Sequence, residues 1–236
     1  MTWDPRQLDP EWPYDEFATD CRLDPTVTAL LVIDMQYDQL VIAPDAPLRS
    51  RYPQLVQYWE RRIEDTVVPN IQRLIALFRA IPQKIVYTRN GTVTTTGDEM
   101  TARLKTKLSP RGACSHCHSP GYQIISRLAP TNADLVVDKL TSGAFTASFL
   151  DHGLRNMGIR DVIITGVLTD ACVFGTARAA AELGYQTLIC EDACATLTQR
   201  AHDEALLMHA RIFGRVATTE EIRNELRALS VAQAKE

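Results

Sequence analysis

No stretch of the 236-residue sequence is apolar for anything near the ~18 residues of a membrane-spanning helix. Positive charge is not in excess either: 25 Lys and Arg stand against 29 Asp and Glu, a net charge of -4. That excludes the electrostatic footprint of a nucleic-acid binder and the polybasic patch of a membrane-surface protein. The first residues, Met1-Thr2-Trp3-Asp4-Pro5, are polar and acidic and do not read as a signal peptide. Internal repeats and low-complexity tracts are missing. What remains is ordinary globular material, 45% apolar and 23% charged, long enough to bury a core as one large domain without disulfides or metal. Six cysteines without a leader are expected as reduced thiols, and the expected location is the cytoplasm.

Residues 1–26 are interrupted by Pro5, Pro10, Pro13 and Pro25 and read as an irregular arm; residues 27–236 read as a single domain. In the arm, Trp3, Trp12, Tyr14 and Phe17 are candidates to pack on the domain or on a neighbouring subunit. Six short apolar runs follow, at Ala29–Ile33, Ile85–Thr88, Leu135–Val137, Val162–Ile164, Gln186–Cys190 and Arg215–Ala217. Between them lie helical patterns. One spans Gln54 to Ala80, with Pro69 expected to kink or divide it. Others span Ala147 to Met157, the segment after Cys172 as far as Leu183 with Gly184 as its cap, and Ala201 to Ile212. Thr218 and Glu221 have capping-box spacing at the start of a last helix. Residues 38–53 and 89–120 read as long loops, the second with a short helix near 98–106, and Gly121 to Leu128 as another short helix. Strands alternating with helices predict an α/β fold: a mostly parallel six-stranded sheet with helices on both faces. Ligands of such sheets bind at the carboxyl ends of the strands.

Three residues with useful chemistry fall at those ends: Asp34, Lys139 and Cys172. Gly166 permits a tight turn after the fourth strand, and Thr169 or Asp170 is placed to cap the helix that follows. Cys172 then lies near a helix N-terminus, where the dipole and the free N–H groups favour thiolate. A cation at Lys139 favours it further, and Asp34 can take the thiol proton and return it to a leaving amine. Backbone N–H groups of the turn can hold an oxyanion. Together these predict acyl transfer to water, the hydrolysis of an amide, ureide or similar C–N bond. Each residue alone has an ordinary explanation: a buried core cysteine, a helix-capping aspartate, a solvated lysine.

At these positions the chain resembles the isochorismatase-like superfamily of cysteine hydrolases. The matching blocks are Ala29-Leu30-Leu31-Val32-Ile33-Asp34-Met35-Gln36, Val136-Val137-Asp138-Lys139 with Ser142-Gly143-Ala144-Phe145, Thr165-Gly166-Val167-Leu168-Thr169-Asp170-Ala171-Cys172-Val173, and Glu191-Asp192-Ala193-Cys194-Ala195. The resemblance implies a Rossmann-like three-layer sandwich, assembled as a homodimer or homotetramer. It implies an Asp34–Lys139–Cys172 triad, a cis peptide between Val167 and Leu168, and an oxyanion hole from the N–H groups of Leu168 and Cys172. Gln36, Arg89, Phe145 and Val167 are the candidate substrate contacts, and Arg178 is either near the pocket or on the surface. The metal-binding nicotinamidases of the superfamily place histidines just beyond the second strand. Here that segment is Tyr87-Thr88-Arg89-Asn90-Gly91-Thr92-Val93, so no metal and no cofactor is expected. Isochorismatases lack the cysteine. The branch that remains acts on carbamoyl, ureido or small amide substrates such as N-carbamoylsarcosine, biuret, triuret or ureidoacrylate. The alternatives are an isochorismatase- or nicotinamidase-like hydrolase and a non-catalytic binding protein of the same fold.

Cys114-Ser115-His116-Cys117-His118 meets the C-x-x-C-H pattern of c-type haem attachment, which requires export. As a zinc site it lacks a second cysteine pair, and a loop at the pocket rim or a subunit interface is the preferred reading. Cys190 and Cys194 are expected in the core, Cys21 has no evident role, and His152, His202 and His209 are expected as helix-surface or packing residues.

Overall fold

The run Thr28-Ala29-Leu30-Leu31-Val32-Ile33 is buried at every position, as a strand covered on both faces must be. The computed structural model describes residues 9–13, 21–102 and 116–233. Among them, six strands form one sheet: β1 (Thr28–Ile33), β2 (Lys84–Asn90), β3 (Leu135–Lys139), β4 (Asp161–Val167), β5 (Gln186–Ala195) and β6 (Arg215–Ala217). Every pairing is parallel, and the spatial order is β3-β2-β1-β4-β5-β6.

The period-two geometry of a strand divides the core in two. Leu30 and Val32 of β1 face a cluster built from α1 (Pro53–Arg61), a π-helical turn (Arg62–Val67), α2 (Val68–Ala80) and the last helix, which starts at Thr219. Ala29, Leu31 and Ile33 face the other cluster, which holds Leu150 and Leu154 of α3 (Leu150–Asn156), Ala177 and Ala180 of α4 (Phe174–Glu182), and Leu206 and Ala210 of α5 (Gln199–Ile212). The last helix, α6 (Thr219–Gln233), completes the first layer through Ile222 and Leu226. The fold is therefore the expected Rossmann-like three-layer sandwich, with a sheet that is wholly parallel. No helix among the described residues is long and apolar enough to cross a membrane.

Several local expectations are corrected. The run from Gln54 to Ala80 is divided just before Pro69, as expected, but what divides it is a π-turn, and Pro69 stands in the first turn of α2. Proline lacks an N–H and crowds the carbonyl four residues back, and the wider turn absorbs both. The segment 38–53 is not all loop: it holds helical turns at Tyr37–Leu40 and Pro47–Arg51. Gly121 to Leu128 forms no continuous helix, only 3₁₀ turns at Pro120–Tyr122 and Ser126–Leu128. The expected helix near 98–106 lies largely outside the described residues. At the start of α6 the capping box is present: Glu221 Oε2 accepts the Thr218 N–H at 2.8 Å, and Thr218 Oγ1 accepts the Glu221 N–H at 3.3 Å. Of the arm, Trp12 lies against Arg211, whose guanidinium is 5.2 Å from the ring centre and pairs with Asp9. Cys21 and Leu23 belong to the first core cluster, and Arg215 donates to the Cys21 carbonyl.

Strand order reverses between β1 and β4. Chain leaves β1 toward β2 and β3 on one side, and β4 opens the other side with β5 and β6 beyond it. The crevice outside the carboxyl ends of β1 and β4 is the place where such a sheet admits a ligand. Gly166 sets the width of that end. It lies within β4, paired with Ile33, with φ +108°, and a β-carbon there would sit 2.1 Å from the Ile33 carbonyl oxygen. Its role is the close approach of two backbones, in place of the turn expected of it.

Candidate active site

The chain leaves β1 at Asp34 with φ +51°, a region that Asp tolerates better than most residues. The Asp34 N–H donates to the Thr88 carbonyl, and Asp34 Oδ1 accepts the Thr88 hydroxyl at 2.6 Å. Lys139 ends β3, two strands away, a span of about 10 Å that only a long side chain crosses. Its Nζ lies 2.7 Å from Asp34 Oδ2, with both side chains at most 2% exposed. The other ammonium protons go to the carbonyls of Thr141 at 3.0 Å and Ser142 at 3.1 Å. Two of the three ammonium donors are thereby engaged by backbone carbonyls, and the third is left toward Asp34 and Cys172. Burial alone would lower the Lys139 pKa; the Asp34 carboxylate and the neighbouring Cys172 outweigh it and raise it, so the lysine is charged.

Cys172 comes to this ion pair from the far side of the switch point. β4 ends at Val167, a cis peptide joins Val167 to Leu168, and Thr169–Val173 forms a π-turn leading into α4. The thiol is close enough to Asp34 and Lys139 for both to act on it electrostatically. Asp34 Oδ2 faces the ammonium without hydrogen-bond alignment, which leaves a lone pair for a second donor. Burial pushes the Cys172 thiol up to about 12; Lys139 lowers it, and Asp34 raises it again. The expectation of a resting thiolate is corrected: desolvation outweighs the cation, and the group rests as a thiol beside a carboxylate. Neither Thr169 nor Asp170 caps the helix. Leu168 occupies that position without a side-chain bond, Thr169 is turned to His202, and Asp170 accepts the Thr196 hydroxyl at 2.6 Å.

The remaining candidates divide. Gln36 is fully buried and spans backbone: its Nε2 donates to the carbonyls of Asn90 and Tyr122, and its Oε1 accepts the Asn90 N–H at 2.7 Å. Val167 is buried in the first core cluster at the end of β4. Arg89 presents its fork to Asp138 at 2.8 and 3.0 Å, donates to Gln123, and lies over the Tyr122 ring. Phe145 stacks on Tyr185 with ring centres 5.6 Å apart. Arg178 pairs with Glu182 on the exposed face of α4.

The model of the isochorismatase domain matches residues 28–221. The chain belongs to the isochorismatase family of hydrolases. It is 29% identical over 204 residues to the uncharacterized isochorismatase family protein YecD of Escherichia coli O157:H7, covering 86% of this chain and 98% of that one. It is 27% identical over 218 residues to the ureidoacrylate amidohydrolase RutB of Pseudomonas syringae pv. syringae, covering 85% and 84%. Its fold superposes on the crystal structure of a cysteine hydrolase from Pseudomonas syringae pv. phaseolicola with a TM-score of 0.73, at 24% identity over 90% of this chain and 98% of that one.

Some of what surrounds Asp34, Lys139 and Cys172 in this isochorismatase-family chain was not legible in its sequence. Asn90 is 7% exposed; its amide donates toward Thr141 O, the carbonyl that also receives Lys139, and its Oδ1 has no hydrogen-bond partner among the described residues. Its position at the end of β2, opposite Lys139, was the available signal. The C-x-x-C-H segment is described from His116 onward, Cys114 lying outside. The Cys117 N–H donates to Thr92 O, and His116 Nε2 is 2.8 Å from Val93 O, so the segment is stitched to the loop after β2. Among the described residues no cluster of His, Cys, Asp and Glu has metal-site geometry.

Proposed function

We propose that the protein is a cysteine amidohydrolase that cleaves a C–N bond of a small carbamoyl, ureido or amide substrate without a metal ion. One observation carries this reading: a thiol beside a buried carboxylate–ammonium pair that acts on it, at the switch point of the sheet. The similarity to a ureidoacrylate amidohydrolase supports the ureido or amide class. The absence of histidine from Tyr87–Val93 supports a mechanism that needs no metal.

Asp34 takes the thiol proton as Cys172 Sγ bonds to the substrate carbonyl carbon, and Lys139 steadies the charge that appears. The N–H groups of Leu168 and Cys172 hold the oxyanion. When the C–N bond breaks, Asp34 returns the proton to the departing nitrogen, leaving a thioester on Cys172. Water then attacks that thioester, giving a proton to Asp34; as the C–S bond breaks and the acid product leaves, the expelled Cys172 thiolate takes that proton back and the thiol is regenerated.

An ammonia-release screen over small amides and ureides tests the reading. Turnover of at least one compound is expected, retained after exhaustive chelation and lost in Cys172→Ala. Activity that survives Cys172→Ala, or that disappears on chelation, would overturn it.

A further inference from the structure

Behind the nucleophile turn lies a buried polar chain that the reaction scheme does not use. His202 on α5 is fully buried, with Nε2 2.9 Å from Arg62 Nη2 and Nδ1 2.8 Å from Thr169 Oγ1. A guanidinium only donates, so Nε2 must accept, and the ring proton is on Nδ1, directed at the threonine. Arg62 is fixed in turn: its Nε donates to Cys194 O at 3.1 Å and its Nη2 to Glu191 O at 3.0 Å. The chain therefore runs from the π-turn between α1 and α2, across the carboxyl end of β5, into the turn that carries Cys172. Thr169 is itself fully buried. It sits between the Leu168 N–H and Cys172, the two groups assigned to the reacting carbonyl.

We infer that neutral His202 is a positioning residue, which holds Thr169 and so sets the backbone from Leu168 to Cys172 against the substrate carbonyl. This rests on the amidohydrolase reading. A partner that donates to Nε2 leaves no room for a second proton there. An imidazolium would set N–H against the Arg62 guanidinium, and the link to Thr169 would no longer be held in one geometry. The charged groups around the ring are Arg62, Glu191 with Oε2 3.9 Å from Nε2, and Asp203 on α5 itself. Burial and Arg62 favour the neutral ring, while Glu191 and Asp203 oppose them; the balance holds the pKa below the ordinary histidine value.

The test compares His202→Ala, Thr169→Val and Thr169→Ser with the unaltered protein on a substrate whose turnover Cys172→Ala abolishes. A small misplacement of reacting groups costs about 10–100-fold. His202→Ala and Thr169→Val are each expected to lower kcat by that factor, with KM within about threefold of the unaltered protein. The double variant should be no worse than the weaker single, and Thr169→Ser should restore most of the rate. Amide hydrogen exchange over 168–173 should quicken in His202→Ala and Thr169→Val but not in Thr169→Ser, a readout that needs no substrate. Thr169→Val is near-isosteric and serves if His202→Ala fails to fold. Folded variants with unchanged kcat and exchange, or losses that multiply in the double variant, would overturn the inference. Survival of activity in Cys172→Ala would instead overturn the amidohydrolase reading.

Discussion

Two cysteine environments lie side by side at the carboxyl end of the sheet, and they differ in what accompanies the sulfur. Cys190 and Cys194 on β5 are fully buried, and burial pushes both thiols up, Cys190 far beyond the ordinary range. Cys194 Sγ donates to the Ile164 carbonyl at 3.7 Å, and the Arg62 guanidinium and the Gly166 N–H act on it from nearby; Cys190 Sγ lies near the Asp192 carboxylate and the Thr219 hydroxyl. Asp192, however, is occupied as a helix cap, accepting both the N–H and the hydroxyl of Thr219 at 2.7 Å. Cys172 is also pushed up by burial, but it alone faces a carboxylate and an ammonium together. Desolvation is thus common to all three thiols and distinguishes none of them. The pairing of a carboxylate with an ammonium is what sets Cys172 apart, and in the proposed reaction that carboxylate is the base.

The comparison breaks first at the nucleophile. Cys172→Ala is expected to lower turnover by about 10⁴-fold or more, whereas Cys194→Ala should leave kcat within about twofold; steady-state rates on one substrate decide between them. Asp34→Asn is expected to remove turnover and also to leave the Lys139 ammonium buried without its counter-charge. Breaking a buried pair from one side costs about 3–5 kcal/mol, so urea unfolding should show a loss of that size. A fully stable variant would mean that the ion pair is not what holds Lys139 in place.

The pH dependence of alkylation sharpens the contrast further. Because burial raises the Cys172 pKa to about 12, iodoacetamide labelling should keep rising with pH above neutrality, with no low-pH plateau. Peptide mapping should nevertheless find Cys172 labelled at least about tenfold faster than Cys190 or Cys194, which are closed to solvent. A plateau near pH 6 would restore the preformed thiolate. The smallest effect belongs to Cys194→Ala as a stability change, about 1 kcal/mol from the lost buried sulfur, read by thermal or chemical unfolding.

Much of this was legible in the sequence. The β-branched runs of β1 and β4 announce strands buried on both faces, and a residue with useful chemistry directly after a strand lies at the ligand end of the sheet by topology alone. That is why Asp34, Lys139 and Cys172 could be named from scattered positions. The full length of β5 was hidden, because Glu191 and Asp192 interrupt the apolar pattern that marks its beginning. The π-turn at Thr169–Val173 was hidden for a different reason. Thr169 and Asp170 look like caps, but their side chains are claimed by His202 and Thr196, partners 33 and 26 residues away. Lateral bonds such as Gln36 to Asn90 depend on strand register, which no local pattern reveals. The protonation of Cys172 was misread because a helix terminus is visible in a sequence and the surrounding desolvation is not.

The ion pair between Asp34 and Lys139, with an uncharged thiol beside it, makes the resting site electrically neutral. A substrate with no net charge, such as a urea or a primary amide, enters without having to displace a counter-ion. The proposed reaction needs one transferable proton, which would pass from sulfur to carboxylate and on to nitrogen, and be replaced from water in the second half-reaction. Charge separates only during the two bond-breaking steps.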